Sequence, residues 1–169
     1  RFEDALDTYK KVEKAYGITE EIISQKQKIY LQLNDLTSAL AEGDRLIEAF
    51  PYEERFVVKQ AEILMSNNQE DKSRDYLERF LEKTPSGYQS RLILAELKRR
   101  NNDISGAFED LKICFENPDL NSENKIRLLA DYRASLPGSE IQELALPLSA
   151  IVARTHSEVA DAHVIYADL

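Results

Sequence analysis

Three similar short stretches, evenly spaced along the chain, constrain its fold most strongly. They are LNDLTSA, NNQEDKS and NNDISGA, and they share an asparagine at Asn34, Asn68 and Asn102. Asparagine tolerates the left-handed backbone conformation that ends a helix, and an aspartate directly after it can cap the next helix. Each stretch therefore predicts a helix stop followed by a helix start. A fixed period of about 34 residues indicates an array of structural repeats.

Between these turns the apolar residues recur with the period of a helix. The segment DYLERFLEK illustrates this spacing with Tyr76, Leu77, Phe80 and Leu81. Each unit is therefore predicted to hold two helices of about 14 residues, helix A and helix B, joined by the asparagine turn. Pro51 and Pro85 have the same spacing as the asparagines and mark the turn from one helix B to the next helix A.

A two-helix unit of about 34 residues, with a small residue in helix B and a proline near its end, resembles the tetratricopeptide repeat (TPR). The small-residue column contains Ala5, Ala39, Ser73, Ala107 and Ala145. The family's tryptophan position in helix A is instead held by Ile23, Val57, Arg91 and Lys125, and Gly43 departs from an aromatic position. The resemblance covers essentially the whole chain. It implies an all-α, right-handed solenoid of helical hairpins.

The predicted repeats form one array over residues 1–169. They are a partial repeat 1–18, repeats 19–52, 53–86 and 87–120, an irregular repeat 121–157, and a partial repeat 158–169. The irregular repeat contains Pro147, which we expect to kink helix B or shift its start. The last helix A is expected to pack through His163, Tyr166 and Ala167.

Both ends of the chain fall inside a repeat without a polar cap. We therefore expect a fragment of a longer array, cut within repeats at both ends, whose exposed apolar ends favour end-to-end self-association. Targeting information is not readable from such a start. The single cysteine, Cys114, is compatible with the cytoplasm and with the periplasm.

Composition and motif content argue against several functional classes. The net charge of −9 argues against nucleic acid or an anionic membrane as the partner. No apolar run reaches the length of about 18 residues that a membrane helix needs. His156, His163 and Cys114 match no metal or nucleophile motif, so a packing or turn role is the better interpretation. We expect no cofactor and no enzymatic activity.

The remaining candidate site is a surface of the helix A row. In TPR proteins helix A lines the concave face, and partner peptides lie there. The family register predicts three inner columns: Leu31, Met65, Arg99 and Arg133; Ser24, Val58, Leu92 and Ile126; Lys28, Glu62, Glu96 and Ala130.

Within these columns we predict polar anchors at Arg99, Arg100 and Arg133, because the planar fork of arginine binds two carboxylate or phosphate oxygens. Met65 and Leu92 are predicted as apolar anchors. An equally weighted alternative is that the arginines pair with Glu96 and Asp131 in a solvated ion network.

The sequence thus predicts a non-catalytic scaffold that presents a concave groove to a peptide or protein partner. Two alternatives stay open. The segment could serve as a structural spacer, which internal pairing of every arginine would favour. It could also be the targeting arm of a longer protein, enzymatic or envelope-associated.

Overall fold

The computed structural model describes residues 1–169, and all of its regular elements are helical, as predicted. The helices are α1 (Phe2–Tyr16), α2 (Glu20–Gln32), α3 (Leu36–Ala49), α4 (Glu54–Ser66), α5 (Glu70–Lys83), α6 (Tyr88–Arg100), α7 (Ile104–Glu116), α8 (Ser122–Ser135), α9 (Gly138–Glu140), α10 (Leu146–Thr155) and α11 (Ala160–Asp168). A π-helical turn, Ile141–Ala145, joins α9 to α10. The chain divides into two compact units, unit 1 (Arg1–Pro85) and unit 2 (Ser86–Leu169).

The asparagine turns have the predicted conformation. Asn34, Asn68 and Asn102 have φ angles of 58°, 58° and 62°, in the left-handed region. This region costs most side chains about 1–2 kcal/mol, but asparagine reaches it readily. The turns join α2 to α3, α4 to α5 and α6 to α7, so each one closes a pair of packed helices.

Two of the three turns also carry the predicted helix cap. The side chain of Asp35 accepts a hydrogen bond of 3.0 Å from the backbone N–H of Ser38. Asp103 accepts one of 2.9 Å from the N–H of Gly106. Gln69 stands at the same place in the middle turn and makes no cap of this kind. The helix-stop, helix-start prediction is confirmed for all three turns, and the aspartate cap for two of them.

The small-residue column is buried wherever a complete hairpin forms. Ala39, Ser73, Ala107 and Ala145 are all fully buried, which confirms the register of helix B. The residues predicted at the tryptophan position of helix A lie inward. Ile23, Val57 and Lys125 are buried there, and Arg91 is half-buried.

An ion-paired cluster joins the first three helices of unit 1. The Nζ of buried Lys26 on α2 lies 2.8 Å from Glu13 Oε2 on α1 and 2.5 Å from Glu42 Oε1 on α3. Arg45 bonds the same two carboxylates. The hydrogen bond from Arg45 holds the pKa of Glu13 below its usual range against the opposing effect of burial. Two cations and two anions are therefore matched within one site.

A buried amide pair explains the departure at Gly43. Gln27 Nε2 donates to Gln60 Oε1 at 3.1 Å, and Gln60 Nε2 donates to Asp44 Oδ1 at 2.9 Å. A β-carbon on Gly43 would lie only 2.1 Å from Gln60 Oε1. The two amides thus occupy the space that a large side chain at the aromatic position of this repeat would need.

The irregular repeat absorbs its proline through the π-helical turn. The N–H of Leu146 bonds the carbonyl of Ile141, five residues back instead of four. Pro147 has no N–H, and its ring would clash with the carbonyl four residues earlier in a regular helix. The wider turn places Pro147 in the first turn of α10, where a proline is tolerated.

The packing predicted for α11 is wrong. Ala162 and Ile165 are its buried residues, whereas His163, Tyr166 and Ala167 are exposed. α11 contacts α8 and α10, and its inward face carries Ala162 and Ile165, which are three residues apart. The predicted residues are rotated away from that face.

Replacing Gly43 with alanine tests the amide packing. We expect Gly43→Ala to lower the free energy of unfolding by about 1–3 kcal/mol, because the methyl group must displace Gln60 from its bonds. Urea denaturation followed by circular dichroism measures the loss. Gly138→Ala is the matched control, since a β-carbon there meets nothing within 4 Å. Equal stability of Gly43→Ala and the wild type would contradict this account of the position.

Candidate functional site

A cavity of about 290 Å³ opens between α6 and α8 in unit 2. Its apolar lining consists of Tyr88, Leu92, Leu120 and Leu128. Leu120 is buried in the hydrophobic core of the unit. Tyr88, Leu92 and Leu128 are half-buried and pack against that core. The predicted anchor Leu92 therefore serves as a core-packing residue and also faces this cavity.

The polar lining comes entirely from α8. It consists of Asn124, Arg127 and Asp131, and Arg127 donates a 2.9 Å hydrogen bond to Asn124 Oδ1. Their positions are spaced by three and four residues, which places them on one helix face. We call this apolar and polar lining together the α6–α8 groove.

The predicted anchors Arg99 and Arg100 converge on one carboxylate. Arg99 holds both oxygens of Glu96, at 2.9 and 3.0 Å, and also reaches Glu140 at 3.1 Å. Arg100 bonds Glu96 Oε1 at 2.8 Å. These bonds form the internal ion network that the sequence analysis gave as the alternative role of the arginines, with Glu96 as their partner. Glu140 supplies a further acid that sequence spacing did not indicate.

The electrostatics of the cluster follow from these bonds. Burial disfavours the charged form of Glu96, but the hydrogen bonds from Arg99 and Arg100 outweigh burial and hold its pKa below the usual value. The bond to Glu96 raises the pKa of Arg99, with a smaller contribution from Glu140. Both shifts favour the charged forms of Glu96 and Arg99.

Arg133 is located apart from the Glu96 cluster. Its Nη1 lies 3.0 Å from Asp168 Oδ2 on α11, and both side chains are about half exposed. The Asp131 partner considered from the sequence instead lines the α6–α8 groove. An exposed pair of this kind contributes about 0–1 kcal/mol, so solvent or another carboxylate can replace it at little cost.

Met65 is half-buried on α4 of unit 1. The cavity between α2 and α4, about 310 Å³, is lined on the α2 side by Ser24, Lys28 and Leu31, which were predicted inner residues. Its α4 side is formed by Lys59 and Ile63. Met65 does not line this cavity, and it lies in unit 1, whereas the other predicted anchors belong to unit 2.

Sequence reasoning missed the second wall of both cavities. Lys59 and Ile63 line the unit 1 cavity, and Arg127 and Asp131 line the unit 2 cavity. These pairs occupy equivalent positions two repeat periods apart. Extending the repeat columns to that face of helix A would have found them. Of the residues in the predicted columns, only those on α2 and α6 line these two cavities.

The residues considered for chemistry occupy structural positions. Cys114 is buried, and its Sγ lies 3.4 Å from the carbonyl oxygen of Tyr88. His156 lies in the turn after α10, and exposed His163 has a ring nitrogen 2.9 Å from the carbonyl of Ser157. No group of three or more histidine, cysteine or acidic residues is arranged to hold a metal ion. None of the helices combines the length and the apolar character needed to cross a membrane.

Comparison with known proteins gives a fold relationship. No protein-family model matches the chain, and no curated protein does. Among solved structures it is similar to a thermophilic TPR protein of Thermus thermophilus, with 17% identity over 99% of this chain and 90% of that chain and a TM-score of 0.56. It also matches a monomeric IFIT1 mutant with Gppp-AAAA, at 17% identity over 99% of this chain and 42% of that one, with a TM-score of 0.43.

The likeness to the Thermus protein shows the fold alone. The chain has an all-α, TPR-like helical-repeat fold, and this confirms the fold class predicted from the sequence.

Tyr132 on α8 makes the stability of unit 2 sensitive to alkali. Burial raises the pKa of Tyr132 to about 12, and the charge of Glu96 adds to the shift. An unfolded chain releases this proton at about pH 10. Stability is therefore full below about pH 10 and is lost as the pH rises towards about 12, by at most about 1.4 kcal/mol per pH unit for this group.

We expect Tyr132→Phe to remove this part of the alkaline loss. Urea unfolding at a series of pH values should give a flatter decline for the variant than for the wild type. Identical slopes for the two proteins between those pH values would show that Tyr132 titrates as it does in the unfolded chain.

Proposed function

We propose that this chain is a non-catalytic protein-interaction scaffold whose α6–α8 groove binds an apolar side chain of a peptide or protein partner. The observation that carries the proposal is the half-buried apolar lining around Leu92, between two helices that both pack into the core of unit 2. A preformed site binds more tightly because little flexibility is lost on association. Catalysis is not proposed, since no nucleophile–base pair or metal cluster supports it.

The partner class is protein, with no nucleic acid and no membrane insertion. A net charge of −9 disfavours phosphate backbones and anionic lipid surfaces. Large apolar side chains are the usual anchors of a protein interface, and they fill pockets of this kind. The proposed occupant is therefore an aliphatic or aromatic residue in an extended or helical segment.

The three arginines have unequal roles in this proposal. Arg133 is the anchor that can exchange its present partner for a partner carboxylate, because its ion pair with Asp168 is exposed. Arg99 and Arg100 share Glu96, so a partner carboxylate must compete with a bond that is already made. Met65 is proposed as a further apolar contact on α4 of unit 1.

A second candidate function is a structural spacer that binds nothing through this groove. It is favoured by the ion pairs of Arg99, Arg100 and Arg133, each of which has a carboxylate partner within the chain. The other alternative is that the chain is the targeting arm of a longer protein.

For the domain organisation, we keep the prediction of a single repeat array over residues 1–169 as a proposal.

A peptide selection tests the groove directly. A displayed random-peptide library is selected on the purified wild-type chain, without prior depletion on any variant. We expect the enriched peptides to share one large apolar residue. They should bind Leu92→Lys about tenfold or more weakly, which corresponds to about 1.4 kcal/mol of lost contact.

The control substitution is Ile113→Lys, at an exposed apolar residue on α7 outside the groove lining. It should leave peptide affinity unchanged, and circular dichroism should show that both variants remain folded. Charge reversal at Arg133, and in separate variants at Arg99 and at Arg100, then ranks the three arginines by the peptide affinity that each reversal removes. Failure to enrich any peptide, or equal affinity for Leu92→Lys and the wild type, would support the spacer.

A further inference from the structure

A separate pocket of about 370 Å³ lies in unit 1 among α3, α4 and α5, away from the inner columns. We call it the α3–α5 pocket. Its apolar lining is formed by Ile47 and Pro51 on one side and by Val57 and Phe80, both buried, on the other. The volume falls at the lower end of the range of about 300–1,000 Å³ that is typical of small-molecule sites.

One wall of the pocket is held rigidly. The hydroxyl of Tyr76 donates a 2.5 Å hydrogen bond to Asp44 Oδ1, and the guanidinium carbon of Arg79 lies 5.1 Å from the centre of the Tyr76 ring. Arg79 Nε donates to the carbonyl of Asp75 at 3.1 Å. The ring and the backbone bond together position the arginine at the pocket.

The rim of the pocket has two positive charges that no carboxylate matches. Arg79 bonds a neutral carbonyl, and Lys83 forms no ion pair. Glu48 is the one acidic lining residue. The rim therefore has a net charge of about +1, although the chain as a whole is strongly acidic.

The pair of unmatched cations is not a requirement of the repeat. One period before Arg79 stands Arg45, which pairs with Glu13 and Glu42, and the position of Lys83 holds Ala49. One repeat period further on, Ile113 and Asn117 stand at the positions of Arg79 and Lys83. Asp110 replaces Tyr76 and is bound by Arg91 at 3.0 Å and by Lys98 at 2.7 Å. Unit 1 thus combines an open apolar pocket with unmatched positive charge, and the equivalent residues of unit 2 do not.

We propose that the α3–α5 pocket binds a small monocarboxylic acid with an aromatic or branched aliphatic body. The body would contact Val57, Phe80 and the residues opposite them, and the carboxylate would bind between Arg79 and Lys83. Arginine matches the geometry of a carboxylate through its planar fork. A net rim charge of about +1 suits a monoanion better than a doubly charged phosphate.

Titration of the isotope-labelled full chain followed by amide NMR tests this proposal. The probes are phenylpropionate and the neutral alcohol phenylpropanol, which share one body and differ in the charged group. We expect phenylpropionate to give saturable shifts at Ile47, Tyr76 and Phe80. The alcohol should bind about tenfold or more weakly, since it lacks the carboxylate.

Removal of the rim charge is the second arm of the experiment. Arg79→Gln with Lys83→Gln should weaken phenylpropionate binding to the level of the alcohol. Lys11→Gln with Lys72→Gln, at exposed residues outside the pocket, removes the same charge and should change nothing. All four positions are on the surface, so both double variants should fold like the wild type.

Four results with the small-molecule probes would overturn the proposal. The first is no saturable binding of phenylpropionate at millimolar concentration, and the second is binding of the alcohol as tight as that of phenylpropionate. The third is wild-type affinity for phenylpropionate in the Arg79→Gln, Lys83→Gln variant. The fourth is displacement of phenylpropionate by inorganic phosphate at a similar concentration. A peptide ending in phenylalanine that binds much more tightly than phenylpropionate would also contradict it, because the occupant would then be a protein terminus. Because this pocket and the α6–α8 groove lie in different units, either proposal can fail alone.

Discussion

The left-handed turn at Asn34, Asn68 and Asn102 is the constraint on which the helical hairpins depend. A residue with positive φ stops helix A at a defined point, and helix B begins two residues later. The buried small residue then follows five positions after each asparagine, at Ala39, Ser73 and Ala107. The turn therefore sets where helix A ends and helix B begins, and with this the face of helix B that packs against helix A.

Within this common frame the repeats differ mainly in the polar groups they bury. Unit 1 matches Lys26 with two carboxylates and fills the space beside Gly43 with paired glutamines. In unit 2, the Nζ of buried Lys125 lies 3.4 Å from the ring nitrogen of His156 and forms no ion pair, and burial lowers the pKa of Lys125. Buried charges of this kind add little stability, but mispairing them is expensive.

Features encoded locally could be predicted from the sequence. The turn at Asn102, its Asp103 cap and the buried Ala107 depend on a few adjacent residues and recur at a fixed period. The bond between Arg99 and Glu96 was also foreseeable, since the two residues are three apart on one helix.

Features that depend on residues distant in the chain could not be predicted in the same way. Glu140 and Asp168 reach the arginines from helices 41 and 35 residues away, across an irregular repeat whose register the period does not fix. The rotation of α11 is set by its contacts with α8 and α10, so its own pattern misled the prediction for Tyr166. The α3–α5 pocket likewise requires the relative placement of three helices.

The most direct test of this account is the backbone conformation of the three asparagines in solution. Amide-to-α-proton couplings and backbone chemical shifts, measured on the isotope-labelled chain, report φ at each residue. The account predicts positive φ at Asn34, Asn68 and Asn102 alike, and negative φ at neighbouring Asn101, where the structure has −86°. A negative φ at any of the three would mean that the hairpins do not share one turn, and the repeat register derived from it would be contradicted.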